Sequence, residues 1–434
     1  MGIKKGDWVG LMLGNVPDFA ILGLALSKVG ATVVPLDPTT GQRDLGLIMD
    51  TAPLRALITR PRGGVETQQP APPSASGRLE NLESRRRLQG TLLTCSIYTK
   101  PPGATPEPAA LVLYTNDSNG NPKGVLRTDE NLEAAAVQTA RALEVTADDR
   151  ILTTVPLFHS YGFDCGLALA LRFGATLYLE DEVAPKRIVK LLREQEINVL
   201  PGTPGLYAGL AKLPTAKALK VKKPRYLSAG SPLSEATAEA FKNRWGIRIV
   251  PLYHTTETST IAVDKKEPRP GSAGKVIEGV EARIGNGKVP VGEDGAIWIR
   301  GKAIAQRAIP MPRARIGTAV GGLDDKGWLR TGDVGHFDKT GRIYLSGRED
   351  QLVKVDGKRV ALGEVQECLE SFSKVQQALV RVITDPLGGP MVVASVVVFG
   401  KCGAEEIIDH CAKNLAPYKV PRRIEFCETL PSVA

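Results

Sequence analysis

WVGLMLGNVPDFAILGLALSKVGATVVPLD, Trp8 to Asp37, decides how this chain is built. The apolar run from Trp8 to Leu13 has the length and composition of a short strand buried on both faces. Gly14 and Asn15 interrupt it. Pro17 then opens a segment whose apolar residues recur at helical spacing as far as Val29. Gly30 ends that helix, since glycine adopts the left-handed conformation of a C-terminal cap at little cost. A second apolar run, Ala31 to Leu36, comes at once after it. Strand, helix and strand in so short a span predict a parallel pair joined by a crossover helix. A helical turn over Asp44–Asp50 and a third strand over Arg55–Thr59 continue the pattern.

Residues 61–109 carry neither period. They include QQPAPPSASG and read as a loop or disordered insertion. Alternation resumes at Leu111. Strands are expected over Leu111–Tyr114, Ile151–Val155, Ala175–Leu179, Asn198–Leu200, Tyr226–Ser228 and Arg248–Leu252, with a helix over Pro185–Glu194. The last three strands end in turns rich in Gly, Ser or His, and open α/β sheets bind ligands at the carboxyl ends of their strands. From about Ala296 the character shifts to strands and turns, as in AIWIRG and GRIYLSG. After Arg348 the pattern is α+β: a helix over Gly363–Phe372, strands over Ala378–Thr384 and Met391–Phe399, and a helix over Ala404–Leu415. The expected fold class is therefore α/β. Residues 1–347 form a large domain of parallel-type sheets flanked by helices, with a small β-rich portion. Residues 348–434 form a small mobile α+β domain.

The length of 434 residues exceeds what one small core organises, which agrees with two domains. The balance of 56 Lys+Arg against 47 Asp+Glu leaves a charge of +9, which suits an anionic partner such as a phosphate. Aromatic residues are 5% and no Lys/Arg run is interleaved with them, which argues against a nucleic-acid platform. The 6 cysteines form no CxxC pair, so neither a disulfide framework nor a zinc site is indicated, and a reducing, cytoplasmic setting fits. MGIKKGDWVG lacks the apolar core of a secretory signal. Lys28 and Gly30 interrupt the apolar stretch from Phe19 to Leu36, so no transmembrane segment is expected.

The stretch LVLYTNDSNGNPKG, Leu111 to Gly124, sits between an apolar strand and a helix-like segment. Hydroxyl, amide and glycine residues after a strand can aim backbone N–H groups at one point, and Lys123 adds a positive charge there. The pattern G-x-x-x-x-G-K-[ST] is absent, and NG and NP by themselves indicate only a turn. On these residues alone, a phosphate loop and a plain turn both stand.

LYTNDSNGNPKGV, with Thr128 and Asn131–Leu132, resembles the YTSGTTGxPKGVxxTHxNL signature of the AMP-forming adenylating enzymes. That superfamily comprises acyl-CoA synthetases, stand-alone adenylation domains and luciferases. Further stretches resemble it in order: PLFHSYG (Pro156–Gly162), YLSAGSPLS (Tyr226–Ser234) and YHTTE (Tyr253–Glu257). They continue with WLRTGDVGHFDKTGRIYLSGRED (Trp328–Asp350), VKVDGKRVALGEVQ (Val353–Gln366) and LAPYKVPRRIEF (Leu415–Phe426). GIKKGDWVGLMLGN near the start is similar to a further family stretch, so the resemblance covers the chain apart from roughly residues 61–109.

The resemblance implies an AMP-forming carboxylate ligase. Such an enzyme joins an acid to the α-phosphate of ATP, expels pyrophosphate, and passes the acyl group to the thiol of CoA or of a carrier-protein phosphopantetheine. Two anions must meet, so the site needs cations and hydrogen-bond donors. By resemblance, Thr115, Ser118 and Lys123 face the β- and γ-phosphates, and Glu257 holds Mg²⁺. Thr256 bonds the α-phosphate. Ser228, Ala229, Gly230, Ser231 and the face of Tyr253 hold the adenine. Asp333 accepts both ribose hydroxyls and Arg348 contacts ribose or phosphate. His159 lies beside the acyl group, and with Gly202, Gly230 and His254 it outlines the acid pocket. Thr256, Glu257 and His159 are thus the candidate catalytic residues. Asp350 is the hinge of the small domain, and Gly357 approaches the acceptor thiol. His336 and His410 read as structural.

The chain departs from the family pattern in three places. Asn116, Asp117 and Asn119 stand where the signature has Ser, Gly and Thr, and Asp129 where it has His. A carboxylate near phosphates costs affinity unless Lys123 or a metal compensates. His254 replaces the glycine of YGxTE, and a bulky side chain there implies a short or compact acid. The family's catalytic lysine comes a few residues after the LP that is here Leu430–Pro431, so weak adenylation is expected of these 434 residues. A second reading therefore stands beside the first: a member that binds nucleotide or acyl ligand without efficient catalysis.

Overall fold

The computed structural model describes residues 2–60, 82–88, 91–98, 109–116, 122–214, 218–265, 268–269, 271–309, 318–319, 322–349, 352–355, 358–385, 389–427 and 430. The chain divides into two compact units. The first comprises Met1–Arg283, Trp298–Arg330 and Phe337–Tyr344; the second comprises Ile284–Ile297, Thr331–His336 and Leu345–Ala434.

The first unit opens as its sequence predicts, with β1 (Trp8–Met12), α1 (Pro17–Lys28), β2 (Thr32–Pro35), α2 (Gln42–Thr51) and β3 (Leu54–Thr59). Every residue of β1 is buried, because it lies between β2 and β3 and pairs parallel with both (Val9 with Val33 and with Ala56). The sheet is completed by β4 (Leu82–Arg87), β5 (Thr94–Tyr98), β6 (Leu111–Asn116) and β7 (Pro122–Arg127). Its order is β4-β5-β3-β1-β2-β6-β7, extended by the short strands Arg307–Ile309 and Thr318–Ala319.

Two expectations are corrected here. The stretch 61–109, read as a loop, contains β4 and β5. In β5 the alternating side chains Cys95 and Ile97 enter the core at 1% and 7% exposure, and the strand pairs antiparallel with β3. The surrounding Pro and Gly hid a five-residue alternation. The second correction concerns the turn-rich stretch after Leu111, which connects two strands rather than a strand and a helix. β6 and β7 form an antiparallel hairpin with Tyr114 opposite Gly124 and Thr115 opposite Lys123. The helix α3 (Asp129–Leu143) begins only after β7, closed by a capping box between Thr128 and Asn131.

The second sheet of this unit is built by repeated crossovers. Its elements are β8 (Arg150–Thr153), α4 (Ser160–Gly162), a π-helical segment (Phe163–Ala168), α5 (Leu169–Phe173), β9 (Thr176–Leu179), α6 (Pro185–Glu194) and β10 (Val199–Gly202). They continue with α7 (Pro204–Ala211), β11 (Arg225–Ser228), α8 (Glu235–Trp245), β12 (Ile249–Thr255), β13 (Ser259–Val263) and β14 (Ser272–Val276). Strands β9-β8-β10-β11-β12 run parallel in that spatial order, β13 adds antiparallel to β12, and β14 adds antiparallel to β13. Thr153, Gly202, Ser228 and Thr255 therefore end their strands along one edge of the sheet. That is the edge at which open α/β sheets bind ligands.

Asn15, in the turn after β1, ties this edge to the first sheet. Its Nδ2 donates to the carbonyls of Thr153, Val155 and Glu180, and its Oδ1 accepts from the Leu157 N–H at 2.8 Å. A side chain at 4% exposure thus holds the start of the loop that carries PLFHSYG together with the residue that follows β9.

The second unit keeps the α+β pattern of the sequence. The hairpin Leu352–Val355/Lys358–Ala361 precedes the helix Leu362–Ser371. The strands Val375–Asp385 and Gly389–Val398 pair antiparallel, Arg423–Phe426 adds parallel to the latter, and the helix Ala404–Asn414 lies between them in sequence. Its core is aliphatic, around Val365, Leu369, Ala378, Val392, Ala394, Val396 and Ile407. Among the described residues, no helix is long and apolar enough to cross a membrane.

The Asn15 network yields a test of the fold. Asn15→Leu keeps the number and branching of side-chain heavy atoms but removes the Asn15 hydrogen bond from three carbonyls and one N–H. Urea unfolding should show a loss of about 2–4 kcal/mol, where an exposed Asn would cost a few tenths.

Candidate active site

Lys123 and Glu257 meet. Lys123 lies on β7 opposite Thr115, and Glu257 in the turn between β12 and β13; their Nζ and Oε1 atoms are 2.6 Å apart. Each side chain keeps about a fifth of its surface open, at 23% and 18%, so this is an accessible ion pair and not a core one. The Glu257 carbonyl accepts from Ala305 N–H at 2.8 Å, which fixes the turn. The hydroxyls of neighbouring Thr256 and of Ser160 lie 3.1 Å apart, joining YHTTE to PLFHSYG. The site therefore combines an ammonium, a carboxylate and two hydroxyls from three segments far apart in sequence.

Among the described residues, no group of three or more His, Cys, Asp or Glu side chains is placed to hold a metal ion. One carboxylate beside one ammonium fits a magnesium ion that takes its other ligands from phosphate oxygens and water.

The second part of the site surrounds His159. This residue caps α4, its Nδ1 accepting from Tyr161 N–H at 3.2 Å. It keeps an exposed surface while protein crowds its ring. Desolvation, reinforced by repulsion from His254 and opposed by attraction to Asp164, pushes the imidazole down to about 4. His159 is therefore neutral at pH 7, with Nε2 carrying its proton because Nδ1 accepts.

His254 is the penultimate residue of β12, just past a register shift in the β12–β13 ladder. Its ring lies 5.7 Å from that of Tyr161, and its Nε2 is 3.1 Å from Asp164 Oδ2. Tyr161 OH in turn accepts from Gly202 N–H at 3.2 Å. A Cβ on Gly202 would lie 3.0 Å from the Leu206 and Tyr207 side chains, so this glycine answers close packing.

Asp164, on the π-helical segment, is buried at 2% exposure and paired with Arg127, which is at 0%. Burial alone would raise this carboxyl, but Arg127 and His254 hold it down at about 2. Arg127, Asp164, Tyr161, Ser160 and Asn15 are site residues that the sequence reading misses. The only sign they offer is a charge, hydroxyl or amide inside an apolar stretch, as in GVLRT and GFDCG.

The remaining expected residues fall into three groups. Ser228 ends β11 with its Oγ buried and unpartnered among the described residues, and Ala229 is equally covered. Gly230 and Ser231 are exposed; Gly230 has φ +92° with nothing within 4 Å of a would-be Cβ, so it serves backbone conformation. Tyr253 is 4% exposed, which leaves its ring little open face.

Asp333 and Arg348 form the second group, with Arg348 Nη1 3.6 Å from Asp333 Oδ1. Asp333 lies within the strand Leu329–Phe337 and its N–H donates to Thr331 Oγ1 at 3.1 Å. The preceding Gly332 has φ +80°, and a Cβ there would sit 3.1 Å from the Arg348 guanidinium. His336 is hydrogen-bonded to Asp294 at 2.8 Å, and His410 to Ser371 at 2.9 Å. Asp117, Ser118, Asn119, Asp350 and Gly357 lie outside the described residues.

The environment of His159 predicts a pH effect. An unfolded histidine titrates near 6.5, so between about 6.5 and 4 the unfolded chain binds the extra proton and the native chain does not. Stability should fall as pH drops through that window, and His159→Gln should flatten the slope. In an NMR titration the His159 ring should change protonation near 4; a midpoint near 6.5 would refute this environment.

Comparison with known proteins agrees with this geometry. Residues 1–307 match the AMP-binding enzyme family, and residues 364–434 match the AMP-binding enzyme C-terminal domain. The chain is 28% identical over 463 residues to a crotonobetaine/carnitine–CoA ligase of Salmonella paratyphi B, covering 99% of this chain and 87% of the relative. Among solved structures it resembles the o-succinylbenzoate CoA synthetase of Bacillus subtilis bound to its acyl-adenylate intermediate. The TM-score is 0.81 and the identity 22%, covering 99% of this chain and 86% of the other. The anthranilate CoA ligase AuaEII in complex with anthranoyl-AMP gives a TM-score of 0.80 at 22% identity, covering 99% and 85%. The likenesses to solved structures establish the fold, and the family match extends from the first residue through β14 and beyond. The chain belongs to the AMP-binding enzyme family.

Proposed function

We propose that this chain is an ATP-dependent, AMP-forming carboxylate ligase. It activates a short or compact acid as its acyl-adenylate and passes the acyl group to the thiol of CoA. The observation that carries the reading is the Lys123–Glu257 contact at 2.6 Å, which brings together residues 134 positions apart, one from each of two family motifs. The Salmonella relative is named as a CoA ligase, which favours CoA over a carrier-protein phosphopantetheine, the second thiol of the same chemistry. These substrates suit a cytoplasmic setting.

In this reading Lys123, with the Thr115 and Ser118 hydroxyls, binds the β- and γ-phosphates. Glu257 would hold the magnesium ion, which when bound neutralises phosphate charge. Thr256 donates its hydroxyl to the α-phosphate, oriented by Ser160, where charge builds as the carboxylate attacks. His159, neutral with Nε2–H, donates to the acid without adding charge beside Lys123. Ser228–Ser231 and the edge of Tyr253 receive the adenine. Asp333 accepts the ribose hydroxyls and Arg348 contacts ribose or phosphate. The two domains proposed are 1–347 and 348–434, turning about Asp350, with Gly357 approaching the thiol in the second state.

Nucleotide must separate Lys123 from Glu257, since each is wanted by a different part of Mg·ATP. Lys123→Met and Glu257→Gln should lower kcat/KM for acid-dependent pyrophosphate release by about 10²–10³-fold. Unfolding stability should change by no more than about 1 kcal/mol, as expected of an accessible pair. Activity close to wild type in both variants would remove the reading.

Acid size is a separate test. Acetate- to benzoate-sized acids should exceed octanoate by at least about tenfold in kcat/KM, because His254 and Tyr161 occupy the space a long chain needs. Preference for octanoate would overturn the compact-acid assignment.

A further inference from the structure

Beside the acyl site lies a chain of buried charge that adenylation does not require. Arg127 Nη1 donates to both oxygens of Asp164, at 2.7 and 2.8 Å, and Asp164 Oδ2 is 3.1 Å from His254 Nε2. The three side chains are 0%, 2% and 3% exposed. They come from β7, from the π-helical segment and from the end of β12, so three elements converge to make the contact.

Packing alone does not account for this arrangement. Replacing a buried ion pair by apolar residues of similar volume is often neutral or stabilising, because desolvation consumes most of the attraction. Moreover, Arg127 Nε and Nη2 are buried without partners among the described residues. What the arrangement does accomplish is to fix an imidazole. An ionised carboxylate can only accept hydrogen bonds, and Arg127 keeps Asp164 ionised. Nε2 of His254 must therefore carry the proton, and in the neutral ring that leaves Nδ1 as an acceptor. Nδ1 has no hydrogen-bond partner among the described residues. The ring packs against Tyr161, their centroids 5.7 Å apart.

We propose that His254 is a specificity-determining residue that selects acids bearing a hydrogen-bond donor, a hydroxyl or amino group, near the carboxyl. Arg127 and Asp164 are positioning residues that set its tautomer. The assignment rests on the ligase reading. An acid without the donor would exclude water from Nδ1 and leave a desolvated lone pair, the kind of loss by which polar sites reject analogues lacking the matching group.

The test measures binding of non-hydrolysable acyl-sulfamoyl adenosines in matched pairs: 2-hydroxybenzoyl against benzoyl, and 2-hydroxybutanoyl against butanoyl. The hydroxylated member of at least one pair should bind wild-type chain about tenfold tighter. That ratio should fall to near one in His254→Leu and in the double variant Arg127→Leu/Asp164→Leu, which leaves no orphan charge. Nitrogen NMR of the His254 ring in wild-type chain should show Nε2 protonated and Nδ1 bare, a readout that does not depend on any variant folding. Equal affinity within both pairs, or protonation at Nδ1 alone, would overturn the inference and leave the ligase reading standing. If wild-type chain binds none of the mimics nor Mg·ATP, the ligase reading fails and the inference fails with it.

Discussion

Parallel pairing is the constraint on which the rest of this structure depends. Two parallel strands cannot be joined by a tight turn, so each of β9, β10, β11 and β12 is reached through its own crossover. Every crossover returns the chain to the same end of the sheet. Thr153, Gly202, Ser228 and Thr255 consequently finish along one edge, although some hundred residues separate the first from the last. The segments continuing from them carry His159, Gly230 and Glu257. Asn15 adds the first sheet to this arrangement by hydrogen-bonding backbone groups at the end of β8 and in the loop after it.

Charge is handled in two ways in the same small region. Lys123 and Glu257 remain partly open, so their pairing is cheap to break and their charges stay available. Arg127 and Asp164 are sealed, so their pairing is hard to break, and Asp164 also meets His254 Nε2. In the proposed reading the accessible pair answers a polyanion, and the sealed one sets the tautomer of a neutral ring. His159, kept uncharged by its crowded surroundings, stands between the two kinds of chemistry.

Much of the fold is legible in the chain, and the failures have identifiable causes. Pro185–Glu194 can be read to the residue because proline fixes its first turn and its apolar stripe keeps helical spacing. The small unit is legible nearly whole because its strands are long aliphatic runs. β4 is LESRRR, a charged edge strand whose composition signals a solvated loop. The β6–β7 hairpin reads as a strand-to-helix loop, because nothing in PKGVLR distinguishes six residues of strand from the start of the helix that begins at Asp129. Motif resemblance finds Lys123, Glu257 and Thr256. It cannot find the Arg127–Asp164 pair, whose members lie 37 residues apart and whose charges say nothing of burial until the fold encloses them.

The π-helical segment Phe163–Ala168 bears on how this site can change over time. A π turn is an α-helix carrying one surplus residue, and it is retained where that surplus aims a side chain. Loss of a single residue here would let the helix close into regular α geometry. Residues before the deletion would then swing by about 100° relative to those after it, the angular step of one residue. Asp164 would leave Arg127, stranding a buried cation. Substitutions in FDCGLA can thus be absorbed one side chain at a time, whereas a change in its residue count cannot. At this point the chain is constrained in length more strictly than in composition.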